Sequence, residues 1–380
     1  MAKSTTAFQP SAGKGKTAGT HAAVGPAISL ATPGDARKPQ ETKVKDINLA
    51  LQGGGAHGAF TWGVMDCLLE DGRIGFEGIS ATSAGAMNAA VCAYGMLKGG
   101  REGARAALFD FWKAISEAGT KYSPVKPNLW NQLTGNHSLD DSPSYVFFDT
   151  LSRLFSPYQL NPLNFNPLKD VLEAQVDFEQ LRCAKDAIQL HICATNVETG
   201  KVRIFRNHEL TSQAVLASAC LPFMFQSVEI EGEFFWDGGY IGNPAIFPLI
   251  YESASRDVVI VHINPIQRKG CPRTAAEIMN RLNEVSFNSS LMREMRAIAF
   301  VSQLIETGKL KEGDMKQMLI HSIRTDDFMA ELGVSSKLNN DWAFLTQLRD
   351  AGRKTAAEWR QESFGKIGKE STVDIRKEFL

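Results

Sequence analysis

The sequence predicts an α/β protein with a mostly parallel central sheet. Near residue 50, a strand–turn–helix unit occurs twice in succession, and further apolar strand-like runs follow between helix-like segments. A helix that follows a strand returns the chain to the start of the sheet, so repeated units of this kind favour parallel strands.

The first unit contains the apolar run "KDINLALQ" and the turn "GGGAHG", followed by a helix with Phe60, Val64 and Leu68 on one face. The second contains the strand "FEGISAT" and the helix "AGAMNAAVCAYGMLKG", with a further helix at "ARAALFDFWKAIS". Later segments predict two strands in "AIQLHICATNVETGKVRIF", a helix in "SQAVLASAC", a hairpin in "VEIEGEFFWDGG", and strands in "VVIVHINP" and "MKQMLIHSI". A long helix is predicted to end near Gly308, and another covers "WAFLTQLRDAGRKTAAEW".

These elements divide the chain into three regions. Residues 1–45 are rich in Ala, Gly, Thr, Lys and Pro, so we expect a disordered tail. Residues 46–265 are expected to form the α/β domain, with a proline- and aromatic-rich insertion at 119–170. Residues 266–380 are expected to form a mainly helical C-terminal extension packed on that domain.

Composition excludes several classes of function. The formal net charge of −1 does not support nucleic-acid binding. The six cysteines form no C-x-x-C pair and no metal-ligand spacing is present, so we expect neither a metal nor another cofactor. No apolar run approaches the ~18 residues needed to cross a bilayer. We therefore expect a cytoplasmic protein that contacts membranes only peripherally.

The glycine loop contains Gly53, Gly54, Gly55 and Gly58 between a strand and a helix. Its unpaired N–H groups suit either a dinucleotide pyrophosphate or an oxyanion formed during acyl transfer, and a tight turn is the simplest alternative. The dinucleotide interpretation requires an acidic residue about 20 positions on. Glu77 has that spacing but lies at the start of its strand, which is the wrong end.

Ser83 lies in "ATSAG", where a strand is predicted to turn into a helix. Small residues two positions away, here Ala81 and Gly85, let a nucleophilic serine occupy such an elbow. Close packing of small residues explains the same pattern equally well.

A serine nucleophile needs a proton acceptor. Asp237 ends the apolar run "FFWDGG", and burial there would raise its pKa; Gly238 and Gly239 also make it a turn candidate. Among the histidines, His262 follows Ser83 and Asp237 in the chain order of an α/β-hydrolase triad, and His321 and His57 are weaker candidates. The residues alone leave dyad and triad open.

Together, "GGGAHG", "ATSAG" and "DGG", supported by "CATNVETGKVRIF" and "ASACLPFMF", resemble the patatin-like phospholipase family over residues 46–265. This resemblance implies a three-layer α/β/α fold and lipid acyl hydrolysis by a Ser83–Asp237 dyad. It also implies an oxyanion hole formed by the backbone N–H groups of Gly54, Gly55 and Ala56. Two positions depart from the pattern. Ala81 replaces an elbow glycine, and His57 replaces a basic residue, which puts in doubt a fixed positive charge in the loop.

We therefore expect a lipid acyl hydrolase that cleaves glycerolipid esters, either as a phospholipase A or as an acylglycerol lipase. The alternatives are a Ser–Asp–His esterase using His262, a nucleotide-binding protein using the glycine loop, and an inactive regulatory binder. An aromatic patch in the insertion predicts either a cover over an acyl-chain pocket, a lipid-contacting surface or ordinary core packing. Its members are Phe147, Phe148, Leu151, Leu154, Phe155 and Tyr158.

Overall fold

A single mixed sheet organises the protein in this computed structural model, which describes residues 44–125, 137–140, 142–311 and 313–380. The described strands are β1 (Lys45–Leu51), β2 (Ile74–Ala81), β3 (Gln189–Asn196), β4 (Val202–Arg206), β5 (Val228–Ile230), β6 (Glu233–Asp237), β7 (Asp257–Val261) and β8 (Leu319–Ile323). Their order is β5-β6-β3-β2-β1-β7-β8, and β4 also pairs with β3. Strands β3, β2, β1, β7 and β8 run parallel, whereas the pairs β3–β4, β3–β6 and β5–β6 are antiparallel.

Helices cover both faces of this sheet, as the α/β prediction requires. The described helices are α1 (Gly58–Asp71), α2 (Ala84–Tyr122), α3 (Pro143–Leu154), α4 (Pro157–Leu160), α5 (Pro167–Gln175), α6 (Phe178–Cys183), α7 (Ser212–Ser218), α8 (Phe247–Glu252), α9 (Ala275–Glu306), α10 (Asp326–Ala330), α11 (Trp342–Ser363) and α12 (Ile375–Phe379). Gly99 and Gly100 interrupt α2, so its two halves correspond to the two helices predicted there.

The buried centre of the sheet consists of continuous apolar runs. From Ile47 to Leu51 in β1 and throughout β7, every residue is buried, which is typical of strands covered on both faces. The predicted hairpin is also present, with its turn at Glu231 and Gly232, both of which have positive φ.

The C-terminal region shares the sheet with the rest of the protein. Strand β8 pairs in parallel with β7, and α11 packs closely on α1, where Gly63 lies against the Arg349 carbonyl. The sheet therefore continues past residue 265, the domain boundary that the sequence predicts. The predicted tail falls almost entirely on residues 1–43, outside the described residues. Within the described part of the chain, no helix has both the length and the apolar character needed to span a bilayer.

Candidate active site

Strand order brings Ser83 and Asp237 together. Ala81, at the end of β2, pairs with Ile192 of β3, so Ser83 two residues later is level with Ala194. Asp237, at the end of β6, pairs with that same Ala194 along the same edge of β3, because β4 occupies the other edge at both places. Residues about 150 positions apart therefore lie next to each other at one level of the sheet, where β2 ends and β6 takes its place beside β3.

Ser83 forms a strained turn. Its φ of 55° and ψ of −124° lie in a region that L-residues rarely occupy, and helix α2 begins at the next residue. The turn requires small neighbours. A Cβ on Gly85 would lie 2.6 Å from the Leu51 carbonyl oxygen, and one on Gly58 would lie 2.6 Å from the Ala84 Cβ. Ala81 is fully buried, so the methyl group that departs from the family pattern is accommodated.

The glycine loop follows β1, next to Ser83. A Cβ on Gly53 would lie 2.6 Å from the Ser83 Cβ, so only glycine permits this approach. The Gly53 N–H donates to Asn243 Oδ1 at 2.7 Å. By contrast, the N–H groups of Gly54, Gly55 and Ala56 donate to no other group within the described ranges. Three backbone donors in this turn are thus available to a ligand.

Asp237 is completely buried, and burial raises the pKa of its carboxyl group to about 7. Its Oδ1 accepts a 2.7 Å hydrogen bond from the Gly239 N–H, which opposes that rise. No donor in the described part of the chain completes a hydrogen bond to Oδ2, although the Ser83 hydroxyl lies near enough to lower the pKa further. Gly238, packed against the Cys193 carbonyl, leaves no space for a side chain. The carboxyl group can therefore both accept and release a proton near neutral pH.

An apolar cavity of about 450 Å³ borders Ser83. Ser83, Gly55 and Ala56 form part of its wall, so the hydroxyl and two of the free N–H donors border the same space. Its volume falls in the range of about 300–1,000 Å³ that is typical of ligand sites. The apolar wall residues include Met87, Phe111, Trp112, Ile115, Phe148, Leu160, Phe165, Leu168, Leu221, Phe223, Met224 and Phe225.

The predicted aromatic patch is divided between this cavity and the surface. Phe148 lines the cavity, whereas Phe147 and Leu154 are 66% and 70% exposed. Leu163 and Phe223 are 90% and 68% exposed. Core packing of the insertion is therefore not the explanation for most of this patch, because helix α3 buries none of its residues.

A buried polar network behind the glycine loop was not predicted. Gln52 Oε1 accepts hydrogen bonds from the backbone N–H groups of Ile263 and Asn264, each at 3.0 Å. Asn264 Nδ2 donates to the Gly53 carbonyl at 2.9 Å, and Lys337 Nζ donates to Asn264 Oδ1 at 2.8 Å. The sequence signal for Gln52 and Asn264 is that each polar residue closely follows the apolar run of a strand, β1 or β7. No comparable sequence signal marks Lys337.

The candidate histidines have other environments. His262 is buried against Phe379, its pKa is lowered to about 3 by burial, and neither ring nitrogen has a hydrogen-bond partner in the described ranges. His321 hydrogen-bonds to Asp257. The structure therefore supplies no contact from either ring to Asp237.

The dinucleotide alternative also lacks its acidic ligand. The Glu77 carboxylate accepts hydrogen bonds from the backbone N–H groups of Ala254 and Ser255. It lies in the middle of β2, at a register shift, and not at the start of the strand as expected, but it is still four residues before the end that adjoins the glycine loop. Among the residues described, no three His, Cys, Asp or Glu side chains cluster as a metal site would require.

Comparison with known proteins identifies a family. The family model described as "Patatin-like phospholipase" matches residues 49–250, which is more than half of the chain. Among solved structures, VipD from Legionella pneumophila is similar at 16% identity, with a TM-score of 0.32, over 80% of this chain and 67% of that one. No curated protein matches this chain.

Proposed function

Because the chain belongs to the patatin-like phospholipase family, whose members hydrolyse lipid acyl esters, we propose that it cleaves carboxylic esters of glycerolipids with Ser83 as nucleophile and Asp237 as base. One observation carries this proposal: the Ser83 hydroxyl lies beside the buried Asp237 carboxyl and, together with free backbone N–H groups of the glycine loop, borders an apolar cavity.

In the first half-reaction, Ser83 Oγ attacks the ester carbonyl carbon while its proton passes to the Asp237 carboxylate. Negative charge develops on the carbonyl oxygen, and the N–H groups of Gly54, Gly55 and Ala56 stabilise it. Helix α2 begins immediately after Ser83, and the positive end of its dipole adds to this stabilisation. The tetrahedral intermediate then collapses, and the protonated Asp237 returns its proton to the departing alkoxide.

In the second half-reaction, water attacks the acyl-enzyme and Asp237 accepts the proton of that water. As the second tetrahedral intermediate collapses, the bond to Ser83 Oγ breaks, Asp237 returns that proton to Oγ, and the fatty acid leaves. A pKa of about 7 suits Asp237 for both directions of proton transfer, because a base near the working pH is neither fully protonated nor too weak. No histidine takes part in this scheme.

The cavity and its surroundings support a lipid substrate. An apolar cavity with Ser83 in its wall suits an acyl chain. We define the rim as Phe147, Leu154, Phe155, Leu163, Phe165 and Phe223, which are all exposed. Phe165 and Phe223 also line the cavity. We propose that the rim rests on a lipid surface, so that an acyl chain enters the cavity without crossing water.

A fluorophosphonate probe tests this proposal, because it reacts covalently with activated serines. We expect the unmodified protein and the exposed-serine control Ser286→Ala to be labelled and to hydrolyse both p-nitrophenyl butyrate and phospholipid vesicles. Ser83→Ala should lose the label and should lose roughly 10⁴–10⁶-fold in kcat. Labelling that persists in Ser83→Ala, or an unmodified protein that neither reacts nor hydrolyses either ester, would contradict the proposal.

A further inference from the structure

The cavity wall contains a cation that comes from outside the region matched by the family model. Lys337 lies in the turn Val334–Leu338, just before α11, and it lines the same cavity as Ser83. If Ser83 acts as proposed above, we infer that the Lys337 ammonium group supplies the positive charge of the reaction centre, stabilising the negative charge that develops on the attacked carbonyl oxygen.

The glycine loop itself carries no such charge. Burial and the neighbouring Lys337 lower the pKa of His57 to about 3, so its ring is neutral at physiological pH. Its Nε2 lies 2.7 Å from Ser336 Oγ, which makes His57 an anchor for the Val334–Leu338 turn. The Lys337 carbonyl lies directly against Gly55, where a Cβ would collide with it. The loop and the turn therefore hold each other in place, with the lysine next to the free N–H donors.

The ammonium group lies between the glycine loop and the Asp237 turn. On the loop side, Nζ donates to Asn264 Oδ1 at 2.8 Å, and Asn264 in turn holds the Gly53 carbonyl. On the other side, Nζ lies 5.4 Å from the centre of the Phe287 ring, which packs against Gly239. The charge is also close enough to Asp237 to lower the pKa of its carboxyl group.

This placement suits stabilisation of a transient anion. Asn264 accepts one ammonium hydrogen, and the other two have no acceptor among the described residues. No described carboxylate forms an ion pair with Lys337; the nearby Glu284 is engaged by Arg268 and Arg281. A cation held in a partly buried apolar site interacts with a developing oxyanion more strongly than it would in water.

The charge state of Lys337 should show in the pH dependence. Burial lowers its pKa to about 8, while Glu284 and Asp237 oppose that shift, and His57 faces it as a neutral ring. The ammonium form therefore predominates at pH 7 and is lost above pH 8. We expect kcat/KM to rise as Asp237 ionises near pH 7 and to fall again as Lys337 deprotonates.

The test compares Lys337→Met, Lys337→Gln and Lys337→Arg with the exposed-lysine control Lys309→Met, using p-nitrophenyl butyrate between pH 5 and 10. Both neutral variants should lose about 10²-fold in kcat/KM, similar to removal of an oxyanion-hole donor. Lys337→Arg should stay within about tenfold of the unmodified protein and should lose the alkaline decline, since arginine remains charged. Circular dichroism checks the fold of each variant.

The outcomes separate this inference from the proposed function. If the unmodified protein reacts with fluorophosphonate at Ser83 but the folded neutral variants keep full kcat/KM and an unchanged alkaline limb, the charge has no role and only this inference fails. A defect confined to phospholipid and absent with the neutral ester would also overturn it, because the lysine would then bind the phosphate. If the unmodified protein does not react at Ser83, the proposed function fails first.

Discussion

The part of the chain matched by the family model and the part that follows it contribute differently to the site. Residues 49–250 carry Ser83, the glycine loop and Asp237, each at the end of a strand. The C-terminal part carries Lys337, which is in a short 3₁₀ turn, together with one wall of the cavity. The first set would perform covalent chemistry and proton transfer, and the second would set the electrostatic environment.

The comparison shows that a sequence motif identifies the reacting groups but does not identify the charged residues that surround them. The reacting groups need sharp turns and close backbone approach, which restrict residue type locally. A charge can act from any element that reaches the site, because electrostatic interaction depends on distance and not on chain connectivity. The following predictions test that contrast.

The largest effect is expected for Asp237→Asn. An amide keeps the size of the side chain and the acceptor for the Gly239 N–H, but it cannot take the Ser83 proton. We expect kcat to fall roughly 10³–10⁴-fold, measured with p-nitrophenyl butyrate against the exposed-residue control Asp110→Asn. Activity within tenfold of the unmodified protein would exclude Asp237 as the base.

The same variant should be more stable at alkaline pH. The folded-state pKa of Asp237, about 7, lies above the usual aspartate value of 3.8, so ionisation destabilises the folded protein as pH rises from about 4 through 7. Asparagine lacks this penalty. At pH 8 its free energy of unfolding should exceed that of the unmodified protein by up to ~4 kcal/mol, with no gain near pH 4, as measured by urea denaturation.

A smaller effect is expected where the two parts of the chain meet. Gly55→Ala places a methyl group against the Lys337 carbonyl at a φ of +58°, which should displace the loop donors and lower kcat/KM about 10²-fold. Gly72→Ala is the matched control, since Gly72 has a φ of +76° and a Cβ added there would have no neighbouring atom within 4 Å. Both variants should carry similar backbone strain. Equal activity in the two would show that the contact between loop and turn is unimportant.

The rim should affect lipid surfaces and not chemistry. Leu163→Ser or Phe147→Ser removes an exposed apolar side chain, and we expect about tenfold weaker binding to phosphatidylcholine vesicles for each, from the free energy of burying such a group. Turnover of p-nitrophenyl butyrate should stay unchanged. Tyr251→Ser, which is 77% exposed outside the rim, serves as control in a vesicle sedimentation assay. Equal loss in all three variants would argue against a specific surface.

The smallest effect on activity is expected for His262→Leu. Its ring nitrogens make no hydrogen bond in the described ranges, so turnover should remain within about threefold of the unmodified protein. Because burial lowers the folded-state pKa of His262 to about 3, below the usual histidine value of 6.5, this residue destabilises the fold as pH falls below 6.5. The variant should therefore lose stability less steeply between pH 6 and 4. Complete inactivation with an intact fold would restore the triad alternative.

Much of the fold and part of the site could be predicted from local patterns. The buried strand before "GGGAHG" and the small residues around Ser83 each reflect constraints within a few positions, and the structure contains the expected strand, turn and helix at both places. Strand β8 was also predicted, but its pairing with β7 was not, because an apolar run does not specify its neighbour. Lys337 was missed because nothing near it in sequence distinguishes it from a solvated lysine.

The sequence by itself determined the strand–loop–helix units and the residues that can occupy their turns, since backbone sterics and apolar periodicity act over a few neighbouring positions. Only the tertiary structure decided which of those residues meet. Strands β2 and β6 pair with successive stretches of one edge of β3, and this places Ser83 beside Asp237. Burial within that arrangement raises the pKa of the Asp237 carboxyl group. The packing of the C-terminal part on the sheet places Lys337 in the cavity wall. Strand order and desolvation depend on the whole chain, so no local segment encodes them.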